Sequence, residues 1–157
     1  MTGTVPAQLL AAIRARRFPS VARLLAPDVD FQAWTPTGHW VATDNATAAR
    51  IIEVWFSPGG PLTLIFSNET AGARGAATLE YEMVWHLEPD DQPRVLRQFV
   101  LLTIKNDKIV SVRVYCPGLH TEFPEVDLEK QRRTKGITGP PKPAAPRAPP
   151  IKVSSGA

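Results

Sequence analysis

The most regular pattern of hydrophobic and polar positions lies between residues 94 and 116. It predicts two long strands, Arg94 to Ile104 and Ile109 to Cys116, joined by the polar turn Lys105-Asn-Asp-Lys108. In the second strand Val110, Val112, Val114 and Cys116 share one face and Ser111, Arg113 and Tyr115 the other, which is the alternation of a half-buried strand. In the first strand Leu96, Gln98, Val100, Leu102 and Ile104 share a face. Val95, Phe99 and Leu101 make its opposite face apolar as well, so both faces are expected to be covered. Asn106 and Asp107 tolerate the positive φ that a tight hairpin turn requires.

Upstream the period changes. From Pro6 to Arg17, Leu9, Leu10 and Ile13 recur at helical spacing, with proline at the start and arginines at the end. A second short helix begins at Phe18-Pro19, with Val21, Leu24 and Leu25 on one face, and Ala26-Pro27-Asp28 is expected to end it. Val29, Phe31 and Ala33 then alternate with polar positions in a strand. Thr35-Pro-Thr-Gly38 turns the chain into a shorter one at His39 to Ala42. Thr43 or Asp44 can accept the free amides of a third helix, whose stripe is Ala48, Ile51, Ile52, Trp55 and Phe56 and whose stop is Ser57-Pro-Gly-Gly-Pro61. Strands follow at 62–69 and 76–87, with breaks at 71–75 and 88–93.

The 157 residues, 43% of them hydrophobic, suffice for one globular domain, expected over residues 1–123. Residues 128–133 are charged. From Thr134 onward six prolines stand among few apolar residues, which cannot offset the entropy of ordering, so 124–157 is expected to be a disordered tail. The net charge of +3 comes from that tail. Residues 1–133 carry 14 Lys and Arg against 15 Asp and Glu, whereas 134–157 carry four cations and no acid. The domain therefore lacks the basic footprint of a nucleic-acid binder. One cysteine, Cys116, excludes an internal disulfide. With no leader pattern and no long apolar run, the chain is expected to be cytoplasmic and free of the membrane.

Helix, helix, hairpin, helix and then four longer strands is an α+β order, a curved antiparallel sheet wrapped around three N-terminal helices. Leu24-Leu-Ala-Pro-Asp-Val-Asp-Phe31, the helix Ala48 to Phe56, the pairs Arg97-Gln98 and Lys108-Ile109, and the ending Tyr115-Cys-Pro-Gly-Leu119 carry a resemblance over residues 5 to 120. In these the chain resembles the nuclear transport factor 2-like superfamily, and within it the SnoaL-like branch. The resemblance implies a cone-shaped roll with an apolar pocket between sheet and helices, and a homodimer through the outer sheet face. That superfamily includes polyketide cyclases, ketosteroid isomerases, epoxide hydrolases, dehydratases and members without known chemistry.

Isomerase or cyclase chemistry needs a base near a substrate C–H and a donor at the developing enolate. The resemblance puts the positions that carry carboxyl groups in ketosteroid-isomerase relatives on Ala33 and Val100, which can do neither, or, if the alignment slips, on Gln32 or Gln98, whose amides are no useful base. Gln98, in an otherwise apolar row, is either a core amide bonded internally or a group that orients a ligand. Glu80, Glu82 and His86 alternate with Leu79, Tyr81, Met83, Trp85 and Leu87. Pointing outward they are solvated or at a dimer seam; pointing inward they would form an acid/base site, which makes Glu82, His86 and Gln98 the catalytic candidates. The aromatic rings of Trp34, Trp40, Trp55, Tyr81 and Trp85 are candidates to line the pocket, together with Met83, Val100, Cys116 and Gln98. No cluster has metal-ligand spacing and no phosphate loop is present, so no metal or cofactor is expected. The leading expectation is a dimeric protein with an apolar small-molecule pocket, possible cofactor-independent cyclase, isomerase or dehydratase chemistry included. The alternative is a non-catalytic dimerisation or accessory module whose Pro-rich tail engages another protein.

Overall fold

Asp44 starts the helix on which the fold is packed. Its carboxylate accepts the Thr47 N–H at 2.8 Å and the Thr47 hydroxyl at 2.7 Å, and these bonds hold its carboxyl below the usual range. From this cap α3 (Asn45–Phe56) buries Ala48, Ala49, Ile52 and Phe56 and half-buries Ile51 and Trp55, an apolar stripe at helical spacing. The computed structural model describes residues 3–87 and 92–120, with only the backbone of residues 87 and 92. The boundary expected at 123, the charged stretch 128–133 and the Pro-rich tail lie outside the described residues.

Two shorter helices precede α3. Thr4 caps α1 (Val5–Arg14) by accepting the Ala7 N–H, and the helix buries Leu9, Leu10, Ala12 and Ile13. The expected run to Arg17 is cut short at Arg16, whose backbone is left-handed at φ 51°. The Arg16 guanidinium reaches the far end of α3, where helix carbonyls lack partners. Its Nε donates to the Phe56 carbonyl at 2.7 Å and its Nη2 to those of Pro58 and Gly59 at 3.2 and 3.3 Å, and of Gly60 at 2.5 Å. The second helix, α2 (Phe18–Leu24), stops before Leu25. Ala26-Pro27-Asp28 therefore does not close a helix but opens β1 (Leu25–Thr35). Pro27 forces an extended residue before it, and its missing N–H falls where the pairing of β1 skips from Leu25 to Asp30.

The remaining strands are β2 (Gly38–Ala42), β3 (Leu62–Ala71), β4 (Ala76–Leu87), β5 (Gln92–Lys105), β6 (Lys108–Tyr115) and the two-residue β7 (Leu119–His120). The sheet runs β2-β1-β6-β5-β4-β3, with β7 added to β5. Every neighbour pair is antiparallel except β1 and β6, so the sheet is mixed and unclosed where the sequence suggested a purely antiparallel one. That parallel pair is tied by the Arg113 side chain, which donates to the Asp30 carbonyl at 2.8 Å and forms an ion pair with the Asp30 carboxylate.

The inward rows are Leu79, Tyr81, Met83 and Trp85 on β4, Leu96, Gln98, Val100 and Leu102 on β5, and Val112 and Val114 on β6. Asn106 and Asp107 turn the β5–β6 hairpin at φ 50° and 59°, as their residue types predict. One irregularity was not visible in the alternation. The register slips between Thr103 and Ile104, and the slip turns Ile109 into the core, fully buried, alongside Val112. Gly75 (φ 77°) precedes β4, and a Cβ there would stand 2.0 Å from the Ile104 carbonyl oxygen. Among the described residues no helix is long and apolar enough to cross a membrane.

Arg16 is the cap that ties α1 to the end of α3. Arg16→Ala is expected to lower stability by about 2 kcal/mol, because charged donors leave several helix-end carbonyls at once. A thermal melt should show a fall of several degrees, with Arg16→Lys recovering less than half because an ammonium cannot span the same carbonyls.

Candidate functional site

The hollow of this fold opens where the sheet is interrupted. Pairing of β5 with β6 reaches Phe99 opposite Tyr115, and pairing with β7 resumes at Leu96 opposite Leu119. Between them Arg97 and Gln98 face the segment Cys116-Pro117-Gly118, which has left β5. The Cys116 N–H donates to the Trp34 carbonyl at 3.0 Å instead, and Gly118 (φ 105°) lies so close to Pro36 that a Cβ would approach its ring at 2.9 Å. A cavity of about 270 Å³ forms there, walled by Trp55, Phe56, Trp85 and Leu96, roofed by Thr35-Pro36-Thr37, Gly118 and Leu119, and floored by Gln98 and Cys116. Deeper, between α1, α3 and the inward strand rows, the space narrows to about 20 Å³ against Leu9, Ile52, Tyr81, Val100 and Val112. The cone is thus filled at its tip and open at its mouth.

One polar group stands in this apolar floor. Gln98 is 5% exposed, and its Oε1 accepts the hydroxyl of Tyr81, its direct partner across β4 and β5. Burial pushes the Tyr81 phenol far above its ordinary range, so the phenol stays protonated and remains a donor. Among the described residues the Gln98 amide nitrogen donates to no protein group and is not sealed from solvent, and the Gln98 side chain lines both the hollow and an outer cleft beside Trp34, Glu80 and Arg97. A buried amide with one end satisfied and the other facing open space costs free energy unless something accepts from it.

The structure separates the expected site residues into three groups. Trp55, Trp85, Gln98 and Cys116 line the cavity mouth. Trp85 is held there by its Nε1–H, which donates to the Pro58 carbonyl at 3.0 Å, and by stacking on Phe56 at 5.9 Å. Tyr81 and Val100 lie at the narrow tip, while Met83 is packed in the core and Trp40 stands edge-on behind Trp55 at 5.9 Å. Trp34 is not in the hollow. It is 38% exposed on the outer face, stacked between His39 at 4.9 Å and Tyr115 at 5.0 Å.

Glu82 and His86 lie on the outer face too, because the inward positions of β4 are Tyr81, Met83 and Trp85. The Glu82 carboxylate is 3.9 Å from Arg97, which also holds Glu80 at 2.8 Å. Neither Glu82 nor His86 is among the residues that line the hollow, so they do not point inward as an acid/base site there would require. Ala33 and Val100 are buried, so at these positions the inner surface carries methyl groups and no carboxyl. Among the described residues no three His, Cys, Asp or Glu converge as metal ligands. The roof was the part missed in the sequence. Thr35-Pro36-Thr37 reads as a plain turn and Gly118 as a loop residue, and only their contact across 80 residues of chain makes a wall.

No protein-family model and no curated protein sequence matches the chain. Solved structures do. A ketosteroid isomerase-like protein from Catenulispora acidiphila, in complex with trimethylamine, matches with a TM-score of 0.60 at 17% identity, over 74% of this chain and 88% of that one. A candidate polyketide cyclase from Pseudomonas putida matches with a TM-score of 0.58 at 21% identity, over 73% and 92%. A nuclear transport factor 2-like protein from Cytophaga hutchinsonii matches with a TM-score of 0.52 at 14% identity, over 73% and 92%. The fold is the nuclear transport factor 2-like cone, three helices against a curved sheet, as the resemblance implied. At these identities the likeness is one of fold, which hosts many activities.

The Tyr81–Gln98 bond can be isolated by a double-mutant cycle. Tyr81→Phe should cost about 1–3 kcal/mol in denaturant unfolding, since it strands the Gln98 oxygen in the core. Tyr81→Phe with Gln98→Leu should recover most of that loss, because removing both partners leaves nothing unpaired.

Proposed function

We propose that the hollow at the mouth of the cone binds a small, neutral, mostly apolar molecule that offers one acceptor oxygen, a ketone or similar carbonyl, to the Gln98 amide. The observation that carries this reading is that amide: a buried donor with no protein acceptor, facing a cavity with aromatic walls. Apart from Cys116 the described lining holds no ionisable side chain, which disfavours a charged ligand that would lose its hydration without a counter-charge. At about 270 Å³ the cavity sits just below the range usual for drug-sized ligands, so one or two rings fit better than a steroid skeleton.

The same lining decides between binding and proton transfer. Enolisation would require a base within hydrogen-bond reach of the ligand, and the described wall supplies hydroxyls, an amide and a thiol but neither carboxylate nor imidazole. Binding and orientation therefore come first, with Tyr81 and Gln98 as a polarised donor pair, and the cyclase or isomerase reading is the weaker one. The outer sheet face completes the proposal. Phe99, Leu101 and Tyr115 are 42%, 38% and 44% exposed in a row across β5 and β6, a patch suited to a second copy of the chain.

Intrinsic tryptophan fluorescence of the full chain, titrated with cyclohexanone and with cyclohexanecarboxylate, tests the first part. The ketone should quench and saturate and the carboxylate should not. Gln98→Leu should weaken the ketone about tenfold, the worth of one buried hydrogen bond, while Glu82→Gln and His86→Ala leave it unchanged. A ketone that binds Gln98→Leu as tightly as the parent would sink this reading.

The dimer is tested separately by sedimentation equilibrium. Leu101→Glu with Phe99→Lys should shift the chain to a monomer without lowering its melting temperature by more than a few degrees, because both side chains stand outside the core.

A further inference from the structure

Cys116 is the single cysteine of the chain, and it shares the cavity floor with Gln98. The hollow therefore holds a soft nucleophile and a buried, unpartnered hydrogen-bond donor side by side, between flat aromatic and aliphatic walls at Trp55, Trp85 and Leu96. A thiol and an amide donor serve one class of electrophile with nothing further required. We infer that the cavity captures α,β-unsaturated carbonyl compounds by conjugate addition of Cys116, with the Gln98 amide at the carbonyl oxygen. This rests on the reading of the hollow as a carbonyl-binding site and adds to it the chemical class of the ligand and the residue that bonds to it.

The step balances without a co-reactant. The Cys116 thiol gives its proton to solvent water, and a sulfur lone pair forms the C–S bond to the β-carbon. The π electrons of the C=C bond move to the carbonyl oxygen through the α-carbon. The enolate oxygen so formed is met by the Gln98 N–H, which is where negative charge develops. The enolate then takes a proton from water at its α-carbon, so that sulfur and hydrogen have added across the double bond and no group leaves. Gln98 is a better donor here than a free amide would be. Its Oε1 already accepts from the protonated Tyr81 hydroxyl, and hydrogen bonds in such a chain polarise one another. No base is needed in the wall, which suits a lining without carboxylate or imidazole.

Intact-mass spectrometry of the full chain with cyclohexenone reads the reaction directly, since a single thiol can carry the adduct. The expected result is one added cyclohexenone, mapped to Cys116. Its rate should saturate with concentration and exceed that of N-acetylcysteine at the same pH by about tenfold or more, the mark of prior binding and orientation. Cyclohexanone should compete. Methyl methanethiosulfonate, which needs no carbonyl donor, reports access to the thiol alone. Gln98→Leu should slow cyclohexenone while leaving methyl methanethiosulfonate unchanged. Tyr81→Phe with Gln98→Leu repeats the comparison in a chain whose polar pair has been removed whole, so that an unfolded single variant does not decide the matter. Cyclohexenone adding no faster than to N-acetylcysteine, while cyclohexanone still shields Cys116, would overturn the capture and leave the binding site standing. If cyclohexanone neither shields Cys116 nor quenches the tryptophans, the carbonyl-site reading fails and the capture falls with it.

Discussion

The apolar stripe of a helix about three turns long must find a surface of matching length, and that requirement organises this molecule. Ile52 and Phe56 of α3 meet the inward rows of β4, β5 and β6 across a narrow space while the helix itself runs against α2, β1 and β2, and those rows exist only because the sheet is paired in one register. At the tip of the cone the match is close and almost no space is left. At the mouth the helix ends, the Arg16 guanidinium gathers its terminal carbonyls, and the loop that follows sets Trp85 by a hydrogen bond from its indole to Pro58. The hollow is the space beyond the reach of α3, where the sheet continues and the helix does not.

Strict alternation made part of this legible in the sequence. Along residues 79–87 every second residue, from Leu79 to Leu87, is apolar and the intervening ones include Glu80, Glu82 and His86, so the inside could be named from the pattern, and a carboxylate pair on the inward side would have contradicted it. The three helices were legible from apolar residues at helical spacing, and Asp44 was one of the two caps offered for the third. Features that depend on a partner segment were not. Ile109 turns inward because β5 and β6 slip by a residue, and β1 lies parallel to β6 because the chain returns from far downstream. Neither leaves a mark in local periodicity. Trp34 was offered for the pocket as a flat apolar ring, but it alternates with Val29, Phe31 and Ala33 and stands on the outer face, where two neighbouring rings cover it from either side.

Gln98 was legible as an oddity and not as a bonded pair. Its row is apolar, which marks it, but its partner Tyr81 is another strand's residue and becomes its neighbour only through the β4–β5 register. Tyr81 itself looks like ordinary core. A polar residue within an apolar row is a question that sequence can pose, and the cross-strand partner is the answer that only pairing supplies. The same holds for the roof, where Pro36 and Gly118 meet at a distance that leaves no room for a side chain at Gly118.

The polarity of the site follows from how few hydrogen bonds the fold can satisfy there. Tyr81 has one hydrogen to give and gives it to the Gln98 oxygen, which leaves the amide hydrogens of Gln98 as the surplus. Had the pair been a carboxylate and a tyrosine, the surplus would have been an acceptor and the hollow would suit a donor or a proton. Because the surplus is a pair of N–H groups between aromatic walls, it favours an electron-rich oxygen, and more strongly as negative charge grows on that oxygen. Ala33 and Val100, both buried and apolar, add no competing demand. What remains is a site arranged to stabilise an oxyanion without making one by deprotonation, and the only soft nucleophile on its described floor is Cys116.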